Sequence, residues 1–210
     1  MAVTSLDAKT ALITIDLQGG ILSLPKAHPN EQIVGNAAAL ADAFRRHDLP
    51  VVLVRVTGGA SGRTEQPRRM GDLPAGWADL VPELNQQPSD HEVVKRTWGA
   101  FHETDLDEHL KELGVTQVVI AGVSTSIGVE STARQAYERG YNVALAVDAM
   151  TDTVAEAHEN SVTRIFPRLG ETGTTQEIID LVESDRGRAE SVFSLGAPIP
   201  ATRRGPRVAG

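Results

Sequence analysis

The chain alternates between short unbroken apolar runs and longer stretches whose apolar residues recur every three or four positions. A run that is apolar at successive positions, rather than at every second one, reads as a strand covered on both faces, as in a parallel sheet. Such runs predict strands at Thr10–Asp16, Pro50–Val56, Glu92–Arg96, Thr116–Ala121 and Tyr141–Val147, with a weak sixth around Arg168–Thr172. The intervening spacing predicts helices over Glu31–His47, Thr104–Leu113, Val129–Arg139 and Val154–Phe166. Gly114 and Gly140 stop two of them and Pro167 follows the last. A further helix opens at Thr174, whose spacing to Glu177 makes a capping box, and carries Ile178, Ile179, Leu181 and Val182. Strand–helix alternation with short links predicts an α/β domain with a mostly parallel sheet. Ligands of such sheets bind beyond the carboxyl ends of the strands, near the point where the strand order reverses. Candidate chemistry is therefore sought just after each strand.

The 210 residues fit one domain over residues 1–183 and a tail over 184–210. The tail holds three prolines and four glycines and reads either as a floppy end or as a segment packed on a neighbouring subunit. Thr57–Pro74, rich in Gly, Arg and Pro, reads as irregular: a lid or a subunit contact. Hydrophobic residues are 40% and charged residues 23%, as expected of a chain that folds on its own. The net charge of −8 argues against a nucleic-acid partner held through phosphates. No apolar run is long enough to span a membrane, and MAVTSLDAKT lacks the basic and apolar regions of a signal peptide. The chain has no cysteine, which fits the cytoplasm and removes disulfides, thiolate ligands and thiol nucleophiles together. Its six histidines show no metal-ligand spacing, so neither metal nor cofactor is expected.

Asp16 closes the first strand in ITIDLQGG, where partial burial would raise its pKa toward that of a general acid or base; the bland alternative is a turn or helix cap. Lys95 ends the third strand in EVVKRTWGAF, where it would orient such a carboxylate or stand as an ordinary surface charge. Trp98 and Phe101 follow, placed either to wall an apolar pocket or to plug the core beneath a loop. Gly122–Gly128, GVSTSIG, links a strand to a helix, and its amides could hold a carboxylate, a phosphate or an oxyanion. It is neither GxGxxG nor a P-loop. Ser124, with Asp148 and His158 following in order, offers a serine-hydrolase reading, although Ser126 stands where the nucleophile elbow needs glycine.

From about Lys9 to Val182 the sequence resembles the isochorismatase-like hydrolases, also called cysteine hydrolases. Three ordered motifs carry the likeness: Asp16-Leu17-Gln18; Lys95-Arg96-Thr97-Trp98-Gly99-Ala100-Phe101; and GVSTSIGVESTARQAYERGY from Gly122 to Tyr141, followed by Asp148-Ala149. The resemblance implies a three-layer α/β/α, Rossmann-like fold with a six-stranded, mostly parallel sheet and helices on both faces, a pocket lined by Asp16 and Lys95, a cis peptide between Val123 and Ser124, and a homodimer or higher homo-oligomer. It also implies Asp16, Lys95 and Gly128 as the catalytic positions, with Gln18, Trp98, Phe101, Ser124, Thr125 and Ser126 around a small-molecule substrate.

Gly128 stands where amidase members carry their cysteine. Thr57-Gly58-Gly59 occupies the region that holds metal ligands in nicotinamidases. Isochorismatases themselves carry glycine at this point and cleave a vinyl ether by protonating its carbon, which makes Asp16 the expected proton donor to a small carboxylated substrate. Ser124, Thr125 and Ser126 replace the Tyr, Ala and His of the isochorismatase motif, and Thr97 its arginine, which speaks against isochorismate itself. A non-catalytic binding or assembly protein is the expectation from a different class.

Overall fold

The computed structural model describes residues 3–65 and 73–194, with side chains as far as residue 184. In chain order it contains β1 (Thr10–Ile15), α1 (Gly19–Leu22), α2 (Asn30–Arg46), β2 (Val51–Val56), β3 (His91–Lys95), α3 (Leu106–Glu112) and β4 (Gln117–Val123). There follow α4 (Glu130–Glu138), β5 (Asn142–Thr151), α5 (Ala155–Asn160), β6 (Glu171–Gly173) and α6 (Thr175–Ser194). The six strands form one sheet in the order β3-β2-β1-β4-β5-β6, every pairing parallel. Crossovers leave β1 and β4 toward opposite edges, so the reversal point lies between these two neighbours, where Ile15 pairs with Gly122.

Burial follows the side-chain period of a strand. Leu12 points into one core with Ile33, Leu40 and Phe44 of α2 and Ile178 and Val182 of α6. Ala11, Ile13 and Ile15 point into the other, with Leu106 and Leu110 of α3 and Ala133 and Ala136 of α4. Two covered faces are the reason the strands read as continuous apolar runs.

Several boundaries differ from the sequence expectation. The first strand ends at Ile15, because Asp16 turns into the left-handed region at φ 52°. Strand β5 runs on to Thr151, beyond the expected end at Val147. Its pairing with β4 slips between Ile120 and Gly122, which re-aims the last residues of both strands. The helix expected over Val154–Phe166 is broken into α5, a π turn at Ser161–Ile165 and a 3-10 turn at Phe166–Arg168. The short α1 and a 3-10 turn at Pro82–Leu84 were not foreseen. Helix α6 continues to Ser194, into the segment read as a tail; residues 195–210 and part of the Thr57–Pro74 loop, residues 66–72, lie outside the described residues.

The capping box at the start of α6 is formed: Glu177 N–H donates to Thr174 Oγ1 at 3.2 Å and Thr174 N–H donates to Glu177 Oε2 at 2.8 Å. Asp148 adds a tether from β5, accepting Thr175 N–H and Thr175 Oγ1–H at 2.6 and 2.8 Å. Thr174→Ala should cost about 1 kcal/mol. For a chain of this size that lowers the melting temperature by about 2–4 °C, measurable by calorimetry.

Candidate active site

Asp16 sits one residue past β1 with its backbone held from both sides. Its N–H donates to Val54 O at 2.9 Å and its carbonyl accepts from Gln18 N–H at the same distance. The carboxyl is buried, 5% exposed, and Oδ2 accepts from Lys95 Nζ at 2.8 Å. Lys95, the last residue of β3, is 1% exposed and also donates to Trp98 O at 2.8 Å and Thr97 O at 3.3 Å. A lysine has three N–H donors, and all three are used. Lys95 therefore orients Asp16 and has no donor left for a substrate. Burial pushes the Asp16 carboxyl up to about 6 against the opposing pull of the Lys95 charge and hydrogen bond. Asp16 Oδ1 is buried with no hydrogen-bond partner among the described residues. An orphaned buried oxygen costs about 1–3 kcal/mol.

Gly128 is buried on the other side of this carboxyl. A Cβ built on it would lie 3.2 Å from Asp16 Oδ2 and 2.9 Å from Ile15 Cγ2. Any side chain here would press on the acid. The residue lies in a π turn, Thr125–Val129, that follows the cis Val123–Ser124 peptide and leads into α4. Thr132 Oγ1 donates to Gly128 O at 2.7 Å and accepts Ala100 N–H at 3.1 Å. One hydroxyl thus joins this turn to the loop after β3.

Of the remaining candidates, Gln18, Phe101, Thr125 and Ser126 have side chains engaged within the protein, while Trp98 is exposed and Ser124 half-buried. Gln18 is fully buried and clamps the end of β2: Oε1 accepts Val56 N–H at 2.7 Å, and Nε2 donates to Val56 O at 3.0 Å and to Trp77 O at 3.3 Å. Its side chain is spent on the backbone. Phe101 is a core plug, 4% exposed, with its ring 5.9 Å from that of Tyr141 and the Arg139 guanidinium 5.0 Å from its centroid. Trp98 is 59% exposed, and it is its carbonyl that serves the site. Thr125 Oγ1 pairs with His158 Nδ1 at 2.8 Å. Ser126 donates both N–H and Oγ–H to Asp152 Oδ2, each at 2.8 Å. Ser124 is half-buried, and its carbonyl accepts Ile127 and Val129 N–H at 3.0 and 3.2 Å.

No serine triad is assembled, since the Asp148 carboxylate is held at α6 and His158 Nδ1 faces Thr125 instead of Ser124. Sequence reasoning missed Asp152 and the Thr132 bridge, and gave His158 the wrong partner. Among the described residues no group of three or more His, Asp or Glu is placed to hold a metal ion, and no helix is long and apolar enough to cross a membrane. A cavity of about 520 Å³ at the amino-terminal edge of the sheet and one of about 260 Å³ beside β5 both lie away from the Asp16–Lys95 pair, which is enclosed.

The fold and the site together define the class: a parallel α/β protein with a buried acid–lysine pair beside a backbone turn at the reversal point of its sheet. Residues 10–177 match the Isochorismatase domain family, and the chain belongs to the isochorismatase family of hydrolases. It is 42% identical over 182 residues to the isochorismatase family protein YwoC of Bacillus subtilis (strain 168), covering 83% of this chain and 95% of that one. It is 28% identical over 212 residues to enterobactin synthase component B of Escherichia coli (strain K12), covering 93% of this chain and 65% of that protein. The solved structure of an isochorismatase family protein from Burkholderia thailandensis superposes with a TM-score of 0.83 at 38% identity, over 87% of this chain and all of that one.

Proposed function

We propose that this protein hydrolyses a small carboxylated vinyl ether by acid catalysis through Asp16, without a covalent enzyme intermediate. The observation that carries the reading is a buried carboxyl raised to about 6 although Lys95 touches it, with glycine at the position facing it. Asp16 is 5% exposed, so the strand edge must open for a substrate to reach it; Asp16 then gives its proton to the vinyl carbon, leaving an oxocarbenium ion. Water adds to that ion, and the hemiketal breaks to an alcohol and a ketone, returning a proton to Asp16. Lys95 holds the carboxyl in place and stabilises the anion left after transfer. The absence of cysteine from the chain supports a route with no thiol step.

The test is hydrolysis of enolpyruvyl ethers in heavy water. Each ketone product should carry one deuterium in its new methyl group. Because the acid must be protonated, kcat/KM should fall about tenfold per pH unit once pH exceeds about 6. A rate that rises through the same range would make Asp16 a base and overturn the mechanism. Stabilisation by the same ethers without turnover would favour a binding protein.

A further inference from the structure

The active-site turn is held from the β5–α5 side by two buried groups that do not themselves border Asp16. Asp152, 2% exposed, takes Ser126 N–H and Oγ–H on one oxygen, while its other oxygen accepts Thr153 N–H at 2.8 Å and Val154 N–H at 3.3 Å in the turn before α5. His158, on α5, pairs through Nδ1 with Thr125 Oγ1, a fully buried hydroxyl with no other hydrogen bond among the described residues. The turn held in this way carries Gly128 past the Asp16 carboxyl, close enough that a Cβ would meet Oδ2 at 3.2 Å.

We propose that His158 is a positioning residue for the active-site turn, fixing residues 125–128 against Asp16 through Thr125 Oγ1, and that the contact satisfies both partners only while the imidazole is neutral. A neutral imidazole accepts the Thr125 hydroxyl proton at Nδ1. A second ring proton would make Nδ1 a donor, and the Thr125 hydroxyl would turn to accept it, leaving its own buried proton with no acceptor among the described residues.

The neighbourhood also disfavours a charged ring. The His28 ring, from the loop before α2, lies 4.6 Å away at 59°. Thr151 Oγ1 accepts the His28 backbone N–H at 3.2 Å and lies 3.0 Å from His28 Nδ1. Asp152 at the end of β5 and Glu159 on α5 favour the charged form, and Asp148 shares the 260 Å³ cavity that His158 and His28 line. Burial and His28 outweigh Asp152 and Glu159, so the His158 pKa lies below the ordinary 6.5. The cavity gives the ring an opening for proton exchange.

The experiment is a titration of the isotope-labelled full chain by amide NMR between about pH 5 and 8, with His158→Asn and His158→Leu alongside. Asparagine places an acceptor where Nδ1 stands and does not titrate. The wild-type amides of Thr125 and Ser126 should shift with a midpoint below 6.5 that is absent in His158→Asn, while the step that Asp16 imposes on Gly128 at about 6 stays in both. In His158→Leu the same resonances should be displaced at every pH. The activity arm rests on the vinyl-ether reading: His158→Leu should lose about 10- to 100-fold in kcat with KM little changed. His158→Asn should recover kcat and lose only the acid limb of the profile. Amides that ignore the His158 midpoint, or an Asn variant as displaced as the Leu variant, would overturn the proposal. Amides that follow it in a protein inert toward vinyl ethers would uphold the proposal and remove the substrate reading.

Discussion

Asp16→Asn should leave a folded protein with kcat/KM toward its substrate reduced by about 10²- to 10⁴-fold, the usual loss when a positioned acid is removed. The substitution keeps an oxygen for Lys95 Nζ to find and keeps the volume, so the lost proton is the main chemical change. The lysine stays buried with the Thr97 and Trp98 carbonyls as its remaining partners, and a buried charge short of its counter-ion is destabilising. A lower melting temperature therefore accompanies the loss.

The pH dependence of that stability gap has a defined sign. The Asp16 carboxyl goes from 3.8 to about 6 on folding. The folded chain thus binds this proton more tightly, and the stability it contributes is full below 3.8 and lost as pH rises through about 6. The gap between wild type and Asp16→Asn should widen as pH is lowered across that window. Lys95→Met provides the converse. Both effects of Lys95 on Asp16 lower its pKa, so without them the carboxyl titrates higher and the alkaline limb of activity moves up in pH, while kcat falls for want of orientation. A Lys95→Met enzyme with an unmoved limb, or an Asp16→Asn enzyme with wild-type kcat/KM, would remove the assignment of Asp16 as the acid.

The strands were legible because burial on both faces leaves continuous apolar runs, and Asp16 and Lys95 were legible because each interrupts or ends such a run. The ends of β4 and β5 were not, since the slip at Ile120–Gly122 arises from pairing between strands and leaves no local trace. Gln18 was a substrate contact only by what the resemblance implied; its partners at Val56 and Trp77 lie 38 and 59 residues away. Long-range backbone acceptors of this kind cannot be read from composition. Phe101 was open to both readings, and the loop after β3 turns its ring inward onto Tyr141 and Arg139. His158 did leave a signal. It lies four residues from both Val154 and Val162, so an imidazole interrupts the apolar stripe of a short helix. That placement points to a buried partner, but it could not say that the partner is Thr125, 33 residues earlier.

Gly122→Ala should be the most destabilising single-methyl change near the site. Gly122 has φ +118°, a conformation that side-chain-bearing residues rarely adopt, and an added Cβ would collide with the Ile15 carbonyl, an atom of the neighbouring backbone that cannot swing aside. The strain of such a backbone and the overpacking each cost about 1–3 kcal/mol. Together they remove a large share of a typical stability of about 5–15 kcal/mol. The collision falls at the β1–β4 pairing one residue before Asp16, so the acid shifts with it and activity declines along with the melting temperature. Gly35→Ala is the matched control. Gly35 lies within α2 with no atom within 4 Å of its would-be Cβ, and alanine there should raise stability by about 0.5–1 kcal/mol. If Gly122→Ala melts as high as Gly35→Ala, β1 and β4 do not approach as closely as described, and the placement of Asp16 beside the turn loses its support.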